Sequence, residues 1–251
     1  MLVENNLDYS QLYHQASKDF RKGRLINPQT PKEEPVEWRT IYYKDYPRLP
    51  KIKLVRGTLE TSLGATLDVR RSFRDFDEGH ITHEKFSHLL QYSVSCLSTL
   101  DHIHSRRRYP SGGARYPLEL YPLVLVGEKD LPKGLYHYSP QEHQLDVLWT
   151  GVTFNPDTKE LFTDVWVGGA ALVILITASF WRSQYKYGER GYRYVLLEAG
   201  HVVQNIHLVA TSLGLASCPY TGTRDEVLEK LLDIDGVTES VLYSVVLGRS
   251  R

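Results

Sequence analysis

Four stretches of the 251-residue chain carry residue types that can do chemistry. Arg70-Arg71-Ser72-Phe73-Arg74 sets three guanidinium groups and a hydroxyl at the end of a helical pattern. Guanidinium forks pair with phosphate oxygens two at a time, and a hydroxyl adds a donor. A solvated charge run at a helix end would read the same way. The second stretch, Arg106-Arg107-Arg108-Tyr109-Pro110-Ser111-Gly112-Gly113-Ala114-Arg115-Tyr116-Pro117, holds paired glycines. Without a Cβ, backbone can come close to a flat or phosphorylated ligand; a tight turn before a strand is the plain alternative. The third is the basic end, Leu247-Gly248-Arg249-Ser250-Arg251. In the fourth, Tyr185-Lys186-Tyr187-Gly188-Glu189-Arg190-Gly191-Tyr192-Arg193-Tyr194, tyrosine, cation and glycine alternate as no periodic core requires; a polar loop is the competing reading.

What is missing narrows the chemistry. No Gly-Lys-Ser/Thr follows the glycines and no GxGxxG follows a strand, which disfavours nucleoside triphosphates and a Rossmann dinucleotide site. There is no HExxH, no CxxC and no GxSxG, so neither a metal site nor a serine hydrolase is expected. His80, His83, His88, His102 and His104 lie near one another without a ligand motif. Lys plus Arg and Asp plus Glu both number 30, a net charge of 0, which argues against binding nucleic acid by bulk electrostatics. Cys96 and Cys218 cannot build a disulfide framework and read as small buried hydrophobes, so a cytoplasmic location is expected. The start, MLVENNLDYS, lacks the pattern of a signal peptide. The apolar run 167–181 falls short of the ~20 residues that cross a bilayer, so no membrane partner is expected.

These residues need elements to hold them. Residues 7–22 suggest an amphipathic helix with Leu7, Leu12, Tyr13, Ala16 and Phe20 on one face and Gly23 as its stop. Pro28, Pro31, Pro35, Pro47 and Pro50 then punctuate a stretch that also holds Trp38, Ile41, Tyr42, Tyr43 and Tyr46. So many aromatics predict an ordered arm packed on the body or on a second subunit. Residues 1–55 are thus set apart as helix and arm from a body of 56–251. Leu59, Leu63 and Leu67 predict a helix face leading into Arg70, and Thr82 can cap a helix buried through Phe86, Leu89 and Leu90. Residues 118–126 and 170–178 read as strands buried on both faces, and 134–148 as a hairpin turning at Ser139-Pro140. Residues 194–213 form the longest helical pattern, ended by Gly214; a shorter helix spans 225–232, and 241–247 is a closing strand. Within the long helix, His201 is expected to be a packing histidine, and Gln204 and Asn205 to cap it or line a site, which core polarity would explain equally well. The mixture predicts an α+β fold, one central sheet with helices packed on it.

In order along the chain, these pieces resemble the SagB-type azoline dehydrogenase branch of the nitroreductase-like flavoproteins. The resemblance rests on Leu12-Tyr13-His14, the 70–74 run, residues 109–121, Gly134-Leu135-Tyr136-His137-Tyr138, residues 186–193, Leu197-Glu198-Ala199-Gly200-His201, Gly214-Leu215-Ala216-Ser217-Cys218-Pro219-Tyr220 and Gly248-Arg249. It implies a nitroreductase-like fold with a mostly antiparallel sheet, wrapped into a homodimer with FMN at the interface. By motif position, Arg70, Arg71, Ser72 and Arg74 would hold phosphate and ribityl, with Arg249 a second phosphate cation. Pro110, Ser111 and Gly112 would approach the ring from the other subunit. Pro219, Thr221 and Gly222 would lie along the ring near its reactive nitrogen.

The same resemblance assigns catalysis to Lys186 and Tyr187 and implies oxidation of a thiazoline or oxazoline to the aromatic azole, with oxygen as the electron acceptor. The substrate would be a peptide delivered by a cyclodehydratase, or a peptidyl carrier of a nonribosomal synthetase. An ordinary lysine is protonated at neutral pH. A base role for Lys186 therefore asks for burial and nearby cations, for which Arg190 and Arg193 are the candidates. The same cations would favour a Tyr187 phenolate, and the choice between the two stays open, as does a nicotinamide-dependent nitro- or quinone-reductase activity.

Overall fold

The computed structural model describes residues 9–18, 35–98 and 106–250. In chain order these contain α1 (Tyr9–Ala16), α2 (Val36–Arg39), β1 (Lys51–Lys53), α3 (Leu63–Val69), α4 (His83–Val94), β2 (Cys96–Ser98), β3 (Arg106–Arg107), β4 (Leu118–Val124), β5 (Gly134–Ser139) and β6 (Gln144–Thr150). After these come α5 (Thr158–Leu161), β7 (Leu172–Ser179), α6 (Trp181–Tyr187), α7 (Arg190–Ser212), β8 (Leu215–Tyr220), α8 (Asp225–Leu232) and β9 (Glu239–Arg249). Seven strands form one antiparallel sheet in the order β1-β6-β5-β4-β7-β9-β8.

The strands owe their place to their composition. Every residue of β4 and β7 is buried, because helices or loops cover both faces of the sheet. Side chains alternate between two cores. Leu118, Leu120, Ile174 and Ile176 enter the core shared with α4 and α7, whereas Tyr121, Leu123, Val173 and Leu175 enter the one closed by α5 and α8. Helix α4 begins where the Thr82 hydroxyl accepts from Lys85 N, and it buries Phe86, Leu89 and Leu90 completely. Gly214, at φ +69°, stops α7 and turns the chain into β8.

The described part of the arm packs on the body. Ile41 is buried in the larger core, β1 adds an edge strand to β6, and the Arg115 guanidinium donates to the Glu37 and Thr40 carbonyls. Of the expected first helix, Leu7, Phe20 and Gly23 lie outside the described residues; Tyr13 meets Tyr192 edge to face at 5.1 Å. Trp38 lies at a position whose side chain is not described.

Four expectations need correction. Helix α3 starts at Ser62, whose hydroxyl accepts from Ala65 N, so Leu59 is not part of it, and Leu63 and Leu67 point to solvent. Residues 185–194 form no loop: α6 and α7 meet at a corner made by Gly188, φ +55°, and α7 begins at Arg190. His201 is exposed on α7 and so is no packing residue. Gln204 is exposed, and Asn205 ties the Ser93 and Arg108 carbonyls together instead of capping the helix.

Candidate active site

The cationic run lies along the β8 edge of the sheet. Phe73 N donates to the Ser217 carbonyl (3.0 Å) and Asp77 N to the Arg249 carbonyl (3.1 Å), which brings residues 70–74 and Arg249 to the same edge. The Arg70 guanidinium, just past the end of α3, lies 2.8 Å from His207 Nε2 on α7. A guanidinium has no acceptor, so Nε2 accepts, and the ring proton sits on Nδ1, which donates to Ser217 Oγ at 2.6 Å. Burial, and then Arg70, push His207 down to about 4. Arg71 stacks over the Phe73 ring at 4.6 Å, and Ser72 and Arg74 approach the Cys218 thiol. Arg249 faces Asp77 at 3.4 Å, with both side chains about half exposed. Beside Arg70 and Arg71 opens a cleft of about 550 Å³, lined also by Asp68, Phe73, Gly214 and Ser250 among others.

The glycine turn lies elsewhere. Pro110, Gly112 and Gly113 are exposed, and Gly113, Ala114 and Tyr116 all take positive φ, at 64°, 54° and 46°. Such conformations cost free energy for residues with a Cβ and cluster at functional sites. A Cβ on Gly113 would stand 2.3 Å from the Tyr187 hydroxyl, so a side chain here would be strained and would displace that hydroxyl. Tyr187 packs edge to face on Tyr194 at 5.0 Å, and Lys186 Nζ lies 5.9 Å from the Tyr187 ring centre. Tyr187, distant in sequence, thus meets the turn, with Lys186 beside its ring. Arg190 and Arg193 hold the end of α1, donating to the Ser17 and Lys18 carbonyls and to the Ser17 hydroxyl, and Arg190 also donates to the Tyr194 hydroxyl at 3.2 Å.

Pro219 pairs with Val245 one residue before the end of β8, and Thr221 is exposed just beyond the strand. Gly222 is closed in by its own chain, since a Cβ there would meet the Tyr220 and Thr163 hydroxyls at 2.3 and 2.5 Å. The cationic edge and the glycine turn rest on the same helix, His207 beneath the one and Tyr194 beneath the other. Those residues are 13 positions apart, about 20 Å along α7 at 1.5 Å per residue.

Three groups escaped the sequence reading. Glu198 accepts the Ser111 hydroxyl at 2.6 Å, and burial pushes its carboxyl up to about 8. His207 is the second. The signal for both was a polar residue inside the buried stripe of α7, beside Val195, Val202, Ile206 and Ala210. The third is a buried chain of charge. Asp146 contacts His137 Nδ1 at 2.9 Å, His137 Nε2 contacts Glu119 at 2.9 Å, and Glu119 pairs with Arg182 of α6 at 2.6 Å. Burial opposes the charge on His137, but Asp146 and Glu119 outweigh it and raise its pKa. Burial likewise opposes the Glu119 charge, and Arg182 and His137 bring that carboxyl down to about 2. Arg182 also donates to the Tyr116 carbonyl, so this chain fixes α6 against the turn. Among the described residues no cluster of histidine, cysteine and carboxylate could hold a metal, and no helix is long and apolar enough to cross a membrane.

The family model described as "Nitroreductase family" matches residues 67–249, and the chain belongs to that family. It is 32% identical over 177 residues to MJ1384 of Methanocaldococcus jannaschii, a protein assigned to the nitroreductases, covering 70% of this chain and 86% of that one. It is also 32% identical over 166 residues to McbC of Escherichia coli, the microcin B17-processing protein, covering 62% of this chain and 58% of that one. The fold matches the E. coli microcin synthetase McbBCD complex bound to truncated pro-MccB17 with a TM-score of 0.60 at 22% identity, over 95% of this chain and 86% of that one. Members of the family bind FMN. A solved relative from Desulfovibrio desulfuricans, TM-score 0.51 at 17% identity over 76% of this chain and 87% of that one, holds it.

Proposed function

We propose that the chain is an FMN-dependent oxidase that converts a thiazoline or oxazoline in a peptide to the aromatic azole. The observation that carries this reading is the contact between the Tyr187 hydroxyl and Gly113, which sets a lysine–tyrosine pair beside exposed, Cβ-free backbone. The residues present fit FMN. A dianionic phosphate needs converging cations, and Arg70, Arg71, Arg74 and Arg249 share one edge with the Ser72 hydroxyl. A flat ring needs backbone that it can approach closely, which the exposed Gly112 and Gly113 supply, with Pro110 and Ser111 leading into them. Pro219, Thr221 and Gly222 would border the ring at the far end of β8.

The two half-sites are about 14–20 Å apart along α7, from His207 to Glu198 and to Tyr194. A twofold pairing of chains would bring the cationic edge of one copy to the glycine turn of the other, so the proposed unit is a homodimer. Exposed apolar side chains support it: Leu63, Leu67 and Val69 of α3 and Leu196 and Leu197 of α7 leave a face that a second copy would bury.

Bound FMN would supply an acceptor for the hydride that leaves the azoline ring. The protein's part is to remove the accompanying proton, and Lys186 or Tyr187 is the group that does so. The Arg182 anchor holds α6 so that both stay at the turn. Oxygen is the terminal electron acceptor. The similarity to McbC supports a peptide substrate delivered by a cyclodehydratase; a carrier-bound peptide of a nonribosomal synthetase is the same chemistry with another donor.

The test is turnover of a thiazoline peptide. Lys186→Ala and Tyr187→Phe are each expected to lower kcat, the true base by ~10²–10⁴-fold. If both variants turn over like the parent, the assignment is wrong. Fast anaerobic bleaching of the flavin by NADPH, without azoline oxidation, would instead establish a nitro- or quinone reductase.

A further inference from the structure

Glu198 is the one acid buried in the stripe that α7 turns toward the core, and it is 2% exposed. Its surroundings are mostly apolar. Among the described residues, the charged and titratable groups that act on it are Arg107 of β3 and Tyr109, which follows β3. Its Oε2 accepts from Ser111 Oγ at 2.6 Å, while its Oε1 has no hydrogen-bond partner. A buried polar atom without a partner destabilises a fold and calls for an explanation.

Ser111 explains it. Tyr116 N donates to Ser111 Oγ at 2.9 Å, so the hydroxyl has its own proton left to give to Glu198. The hydroxyl therefore closes the turn across residues 111–116, the segment that holds three residues at positive φ. A strained backbone persists only where its surroundings over-determine it. Here those surroundings are the Tyr187 hydroxyl against Gly113, the Arg115 side chain donating to the Gly113 carbonyl at 2.8 Å, and the Ser111–Glu198 bond.

We propose that Glu198 is a positioning residue for the flavin, the buried post to which the Ser111 hydroxyl is tied so that Gly112 and Gly113 keep the shape that meets the ring. The proposal rests on the reading that this turn contacts FMN. Burial favours the neutral acid, and a neutral carboxyl still accepts from Ser111 through Oε2 while its proton sits on Oε1. A glutamine has the same shape and the same acceptor, so it can take the place of that form.

The experiment measures FMN affinity, by quenching of flavin fluorescence on binding, and thermal unfolding of the cofactor-free protein between pH 5 and 8.5. The variants are Glu198→Gln, Glu198→Ala, Ser111→Ala and Gly112→Ala. The Gly112 variant tests the underlying reading by itself: its new methyl would meet Tyr194 no closer than 3.4 Å, so it folds, and it weakens FMN only if the ring is there. Glu198→Ala and Ser111→Ala are each expected to weaken FMN about tenfold, the scale of one lost hydrogen bond, and Glu198→Gln to restore most of the loss. Between the ordinary carboxylate range and about pH 8, the unfolded chain releases a proton that folded Glu198 retains. The parent's melting temperature therefore falls with rising pH relative to that of Glu198→Gln. If Glu198→Ala melts lower yet binds FMN like the parent while Gly112→Ala does not, the positioning role is overturned and the turn reading stands. If Gly112→Ala also binds normally, both fail. A parent-to-glutamine difference that stays constant with pH would overturn the neutral acid.

Discussion

At the scale of single residues, the site is organised by polar groups sunk into apolar surfaces. His207 is held neutral between Arg70 and Ser217, with burial the larger cause. From its ordinary value of 6.5 down to about 4, the unfolded chain takes up a proton that the folded chain refuses. Its share of stability is therefore complete above about 6.5 and is lost as the pH falls toward 4. His143, also pushed down to about 4 by burial and then by Arg56, adds to the same loss. His207→Gln keeps an acceptor for Arg70 but cannot charge, so its melting temperature is expected to fall less between pH 6.5 and 4 than the parent's. Equal slopes in melting curves across that range would refute the neutral histidine. Such residues were hard to read in the sequence, because Glu198 and His207 differ from surface polar residues only in the face of α7 they occupy.

The elements were more legible than the contacts between them. Strands β4 and β7 stood out as nearly all-apolar runs, since both faces of the sheet are covered. Thr82 and Gly214 marked helix ends through capping chemistry that acts within a few residues. Helix α6 escaped because its buried Arg182 and Ser183 look like surface residues until Glu119 and the Tyr116 carbonyl come from elsewhere in the chain to meet the guanidinium. The candidate site was legible as residue types and as separate clusters. That the Lys186-Tyr187 pair belongs to the glycine turn was not, because the contact joins segments far apart in sequence. The chain from Asp146 through His137 and Glu119 to Arg182 is the link between the sheet and α6. Replacing one member leaves buried charge without a partner, so His137→Leu is expected to cost about 3–5 kcal/mol in urea unfolding. A loss within about 0.5 kcal/mol, the range of surface changes, would show that the chain contributes little.

At the scale of the molecule, the described chain presents a cationic edge and a glycine turn that pack on different stretches of α7, and apolar side chains facing solvent. A groove of about 380 Å³ beside α3, lined by Leu63, Tyr92, Leu97 and Leu208 among others, continues that apolar face. Both features are accounted for if two copies pair and each completes the other's flavin site. This is the claim on which the proposed chemistry depends, since a hydride acceptor must lie between the cationic edge and the Lys186-Tyr187 cluster. Subunit complementation tests it. Arg70→Glu damages the cationic edge and Gly113→Val the turn, and each variant alone is expected to purify without FMN. When the two are co-expressed, every mixed dimer contains one site built from an intact edge and an intact turn. The measurement is the flavin absorbance per chain of the isolated mixed dimer: the account predicts that FMN returns to one of its two sites. A mixed dimer as colourless as its parents, or a variant monomer that retains FMN, would contradict it.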